Sequence, residues 1–172
     1  MYGDENRTKI ISQTALFIAL ISIGSYIQIP MFPVPITMQT LFVLLAGCIM
    51  KRYAIIPVLL YVILGTIGLP VFHQFTSGPG VLLGPTGGYL IGFVAAAAVV
   101  GVIYENDKKL TRIAGLFAGT AIIAIFGVLW LFVSTSMTFG QAFLIGVLPF
   151  IPGDIIKTAA AYIIGERINE NK

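Results

Sequence analysis

Charge is scarce in this sequence. Ten Lys/Arg and seven Asp/Glu make 10% of 172 residues, against roughly 25% in an ordinary soluble domain. So few charges cannot cover the polar shell of a soluble fold. Disorder is excluded too, because disordered chains are apolar-poor and charge-rich. The formal net charge is only +3, and the basic residues lie in small scattered groups, so no nucleic-acid-binding stripe exists. The single cysteine, Cys48, excludes a disulfide within the chain and a cysteine metal cluster. The single histidine, His73, excludes a multi-histidine metal site. No Gly-Lys dipeptide occurs, so there is no Walker-type phosphate loop. No nucleophile–base pair is visible either, and an intramembrane enzyme is not expected. The first apolar run is too long for a signal-peptide core and no cleavage site follows it.

Apolar residues are abundant: 58% of the chain, with a mean hydropathy of +0.98. The expectation is an all-α, polytopic membrane protein, a single domain over residues 1–172. A hydrocarbon core of about 30 Å needs roughly 17–25 apolar residues per helix. Six spans are predicted, at about 9–29, 37–50, 53–69, 85–104, 112–134 and 141–166. Pro30, Pro33 and Pro35 end the first. Lys51 and Arg52 separate the second from the third, and the run Glu105 to Lys109 follows the fourth. With six spans, Arg7, Lys9, Lys51, Arg52, Lys108, Lys109, Arg112, Arg167 and Lys172 all fall on one side. A Lys/Arg excess marks the cytoplasmic face, so both termini are predicted to be cytoplasmic. The three outer loops, about 30–36, 70–84 and 135–140, carry no charged residue.

Topology thus absorbs nine of ten basic residues and six of seven acids. Asp154 and Lys157 remain, inside the sixth span. Three residues apart, they share a helix face. Lys157 precedes Arg167 by ten residues, roughly 15 Å of helix, which places it near mid-membrane or further out. Intramembrane charges are costly and face a cavity or each other. Pro149, Pro152 and Gly153 stand just upstream, and a broken helix beside charges is a recurrent transporter-site form. Three readings stay open: a structural ion pair, a proton relay, and a ligand site. In the last, Lys157 meets an anionic ligand group and Asp154 orients the lysine.

Neutral polar groups gather in the outer half. Thr37 and Thr40 suit caps for the second helix, and capping and ligand contact are equally open for Thr37. Gln39 has an amide that can match an amide or ureido group. Thr86, Gly87, Gly88 and Tyr89 open the fourth span, where free backbone N–H groups and small residues admit a ligand. Gly84, Gly88 and Gly92 also fit close helix packing. On the first helix, Ala15 and Ala19 lie four apart, fitting internal packing or docking of another membrane subunit.

Four strings carry a family resemblance: Pro33-Val34-Pro35-Ile36-Thr37-Met38-Gln39-Thr40-Leu41, Gly68-Leu69-Pro70-Val71-Phe72, Gly84-Pro85-Thr86-Gly87-Gly88-Tyr89-Leu90 and Pro152-Gly153-Asp154-Ile155-Ile156-Lys157. Together they resemble the BioY family, the biotin-specific substrate-binding (S) components of energy-coupling-factor (ECF) transporters. The resemblance implies high-affinity biotin binding in a cavity opening outward. It implies that Asp154 and Lys157 handle the biotin carboxylate and that Thr86 to Tyr89 lie near the ligand. It also implies docking through Ala15 and Ala19 onto a transmembrane coupling (T) subunit, with two ATPase subunits as motor. No cofactor is expected, and biotin is the transported ligand. The outer loop with His73, Gln74 and Phe75 is less typical, and no role is assigned to it. The alternatives are an S component for another small vitamin, or a stand-alone secondary transporter using Asp154 as proton carrier.

Overall fold

Helix α1 (Tyr2–Tyr26) leads into a two-residue ladder, β1 (Gln28–Ile29) antiparallel to β2 (Ile36–Thr37), with Gln28 opposite Thr37. Helix α2 (Gln39–Met50), a 3-10 turn (Lys51–Ala54) and helix α3 (Ile55–Thr66) follow. A second 3-10 turn (His73–Phe75), α4 (Pro79–Leu83), α5 (Gly87–Ile103), α6 (Lys109–Ser134), α7 (Phe139–Gly146) and α8 (Ile151–Glu170) complete the fold. This computed structural model describes residues 2–170, so Lys172, counted in the sequence topology, lies outside the described residues.

Two sets of contacts mark two ends of the molecule. At one, Arg52 pairs with Glu105, Arg112 pairs with Asp107 and Glu166, and Asn169 Nδ2 donates to Cys48 O. At the other, Ser25 Oγ and Tyr61 OH donate to Val71 O and Tyr26 OH donates to Pro70 O. There too, Trp130 Nε1 donates to Gly84 O and Tyr89 OH to Gly146 O. Each long helix runs between these ends, with the ion pairs of Arg52 and Arg112 gathered at one of them.

Three stretches are long and apolar enough to cross a membrane: Asn6–Tyr26, Gln39–Thr66 and Lys109–Ser134. Taken together as one span, the bent pair Phe139–Gly146 and Ile151–Glu170 makes a fourth, and Gly87–Ile103 is a shorter apolar helix. The stretch 39–66 is not straight. Gln39 Nε2 donates to Tyr61 OH at 2.6 Å, although 22 residues of continuous helix would separate them by roughly 33 Å. The chain therefore reverses in the turn Lys51–Ala54, where Lys51 has φ 54. The predicted second and third spans become two 12-residue helices.

Helix α2 forms the centre, packed between α1, α5 and α8, with Val43, Leu44, Ala46 and Cys48 fully buried. The α5–α6 contact is close because glycines face it. A Cβ on Gly88 would sit 2.2 Å from Trp130 Cβ, and one on Gly119 would sit 2.4 Å from Val100 Cγ2. Outward-facing positions are apolar as well: Leu16, Phe117, Ile125, Leu129, Ile156 and Ile163 are exposed. That surface suits lipid, where helices satisfy their own backbone groups.

The single predicted span 141–166 is instead two helices bent by 51°. The break covers residues 147–150 and contains Pro149. Pro152 is the second residue of α8, where its missing N–H removes no helical bond. The predicted loop 70–84 holds the second 3-10 turn and α4.

Candidate ligand site

The first turns of α2, α5 and α8 converge on one cavity at the end away from the Arg52 and Arg112 ion pairs. Its walls include Thr37, Gln39, Thr86, Tyr89, Asp154 and Lys157. Apolar lining comes from Phe72, Phe93, Ile123, Val147 and Phe150. The site thus has a few polar groups set in an apolar body, the usual composition of small-molecule pockets.

Helix α8 starts after the break, so Asp154 falls in its first turn, where a carboxylate complements the helix dipole. One turn on, Lys157 Nζ donates to Asp154 Oδ1 at 3.1 Å. Lys157 is 5% exposed. Asp154 is its hydrogen-bond partner among the described residues, which leaves two of the three ammonium donors for a ligand. Below the pair, Thr158 meets Thr120 of α6 at 3.0 Å between hydroxyl oxygens.

Gln39 is held from two sides. Its Oε1 accepts from the Thr37 hydroxyl at 3.0 Å and its Nε2 donates to Tyr61 OH. These bonds fix the amide orientation and leave one N–H and one lone-pair direction over. Met38 occupies the α2 N-cap position without a side-chain cap bond, while Thr37 Oγ1 accepts from the first N–H of the helix, that of Gln39, at 3.4 Å, as the capping reading expected. Tyr89 OH donates to Gly146 O at 2.8 Å, while its ring stacks on Phe150 at 6.0 Å. The α5 helix end thereby joins the α7–α8 break. Thr86 sits at the α5 N-cap with no side-chain cap bond.

Two predicted contacts lie elsewhere. Gly87 and Gly88 are buried against Leu82 O and Trp130 and are not among the lining residues. Their lack of a side chain lets Trp130 approach. Ala15 and Ala19 are exposed on the outer face of α1, beside exposed Leu16 and Ile23.

The cavity encloses about 50 Å³ and abuts an outer recess of about 330 Å³. Pro35, His73 and Thr86 line both spaces. Small-molecule sites span roughly 300–1,000 Å³, so a ligand of that class has to use both.

The sequence profile of the BioY family matches residues 3–171. The chain belongs to the BioY family. A probable biotin transporter BioY of Pyrococcus horikoshii is 40% identical over 166 residues, covering 96% of this chain and 99% of that protein. The biotin transporter BioY of Thermotoga maritima is 40% identical over 160 residues, covering 92% and 94%. Among solved structures, the S-component for biotin from an ECF-type ABC transporter superposes with a TM-score of 0.87 at 27% identity. That match covers 96% of this chain and 93% of the other.

Within this BioY chain, sequence reasoning missed His73, Tyr61 and Phe150. Tyr61 reads as one more apolar residue of a span until its hydroxyl is seen to hold Gln39. Phe150 could have been found from its place beside Pro149 and Pro152, next to the leftover charges. Burial holds the His73 imidazole below its usual range, so the ring is neutral at neutral pH.

Proposed function

We propose that this chain is the biotin-binding S component of an ECF-type uptake transporter in the cell membrane. Biotin binds from outside and is released inside when the partner ATPase module drives the subunit. The chain crosses the bilayer six times, as α1, α2, α3, α5, α6 and the broken α7–α8, with both termini cytoplasmic. The gathering of the Arg52 and Arg112 ion pairs at one end, with Lys157 the exception, supports that orientation.

The observation that carries the ligand reading is the paired but under-bonded Lys157 in the cavity wall. Biotin has one carboxylate, one ureido ring and an apolar body. Lys157 takes the carboxylate, while Asp154 compensates and aims the ammonium. The spare amide functions of Gln39, with Thr37 and Thr86, meet the polar ring, and Tyr89 covers the apolar body. Gly87 and Gly88 hold Trp130 behind this wall. The biotin transporters among the relatives and the solved biotin S-component support the choice of ligand. The exposed Ala15–Ala19 face of α1 receives the T subunit, and two ATPases supply the energy this chain has no motif to harvest.

Equilibrium binding of purified protein to biotin tests the reading directly; no saturable binding at micromolar biotin ends it. Lys157→Ala is expected to weaken biotin far more than biotin amide, which lacks the carboxylate. Equal losses for both would place the carboxylate elsewhere.

A further inference from the structure

His73 lies where the inner cavity and the outer recess share a wall, together with Pro35 and Thr86. Asp154 and Lys157 line only the inner space. A ligand that begins at Lys157 and is too large for about 50 Å³ has to pass this wall. His73 offers the one imidazole there. Its ring makes no hydrogen bond among the described residues, whereas Gln39, Tyr89 and Lys157 each have a partner.

The backbone holds the ring in place. Gln74 and Phe75 are consecutive non-glycine residues with φ of 53 and 58. Such conformations cost free energy and persist where the surroundings impose them, often at ligand clamps. Here the surroundings are specific. Thr76 donates to His73 O through its hydroxyl at 2.7 Å and its N–H at 3.1 Å. Phe72 is fully buried edge-on to Tyr61, and Phe75 stacks on Tyr26 at 4.2 Å. His73 is thus clamped between two anchored aromatics. Tyr89, Asp154 and Lys157 are the other titratable groups in the same cavity.

We propose that His73 is a ligand-contacting, specificity-determining residue that hydrogen-bonds the ureido end of biotin. The proposal rests on the biotin reading above. A neutral imidazole presents one donor and one acceptor, which matches the ureido carbonyl and N–H. Lys157 lines the inner space alone and takes the carboxylate there, whereas His73 stands on the wall shared with the outer recess.

The test is equilibrium binding of biotin and of biotin amide to wild type, His73→Phe and His73→Gln. His73→Phe keeps a planar ring and removes the polar atoms. It is expected to lower affinity about tenfold, the scale of one lost hydrogen bond, equally for both ligands. His73→Gln, which restores a donor and an acceptor, is expected to recover most of the loss. Thermal unfolding of each variant is measured alongside, with no change in Tm expected. Biotin affinity of His73→Phe within twofold of wild type overturns the proposal. So does an equal loss in His73→Gln at unchanged Tm, and so does a loss confined to biotin, which would put the carboxylate at His73. Wild type that fails to bind biotin overturns the underlying biotin reading instead.

Discussion

Asp154 neutralises a lysine that the fold has otherwise walled in. Removing one partner of a buried pair leaves an uncompensated charge, which costs about 3–5 kcal/mol. Asp154→Ala is therefore expected to lower the Tm of detergent-purified protein by several degrees. Asp154→Ala with Lys157→Met removes both charges, and is expected to regain stability but not biotin binding. A double variant as unstable as the single one would show that Asp154 acts through something other than Lys157. These two residues were legible in the sequence because topology accounts for every other Lys, Arg, Asp and Glu. Gln39 was legible as a polar side chain at a helix start, but its orientation was not. Tyr61 and Thr37 set that orientation, and Tyr61 comes from a residue 22 positions away. His73 escaped for a related reason. Its placement depends on two left-handed residues, with Phe75 held against α1 and the preceding Phe72 against α3, which no local pattern encodes.

Among the helices, α6 supports a cavity wall through a glycine. A Cβ added at Gly127 would lie 2.3 Å from Tyr89 Cε1, and Tyr89 is itself a cavity wall. Gly127→Ala has to push that ring toward the ligand space. Overpacking of this kind costs about 1–3 kcal/mol. The expected result is a lower Tm and a biotin affinity reduced about tenfold or more. Gly140→Ala, with nothing within 4 Å of the added carbon and away from both spaces, is expected to change neither. Helix positions were largely readable from prolines and charges: α2, α5 and α6 begin or end within three residues of expectation. The α7–α8 break was readable as irregularity at Pro149 and Pro152. Its consequence was not, because Tyr89 closes the break from another helix. The packing role of Gly87 and Gly88 was hidden too, since a glycine-rich helix start looks the same whether it admits a ligand or an indole.

For the molecule as a whole, the apolar exterior includes a small-residue face on α1. Ala15 and Ala19 are exposed on α1 between larger exposed side chains, and small residues allow close helix approach in a bilayer. Ala15→Trp is expected to abolish co-purification with the T subunit and the ATPases while leaving biotin binding within twofold. Intact co-purification would move the docking face elsewhere.

The uncharged stretches around the site have a kinetic meaning. Residues 27–50, 66–104 and 113–153 hold no Asp, Glu, Lys or Arg. Charged clefts raise encounter rates by drawing ions from a distance, and that attraction fades as salt shortens the Debye length from about 30 Å at 0.01 M to about 10 Å at 0.1 M. Here an approaching anion meets no long-range field at the mouth of the site, and it meets the Lys157 charge only once inside. The association rate constant for biotin, measured by stopped flow in detergent, is expected to change less than about twofold across that salt range. A steep decline would mean that charge beyond these loops steers the ligand. A flat salt profile would mean that capture at this entrance is left to unguided diffusion, with selection beginning only after entry.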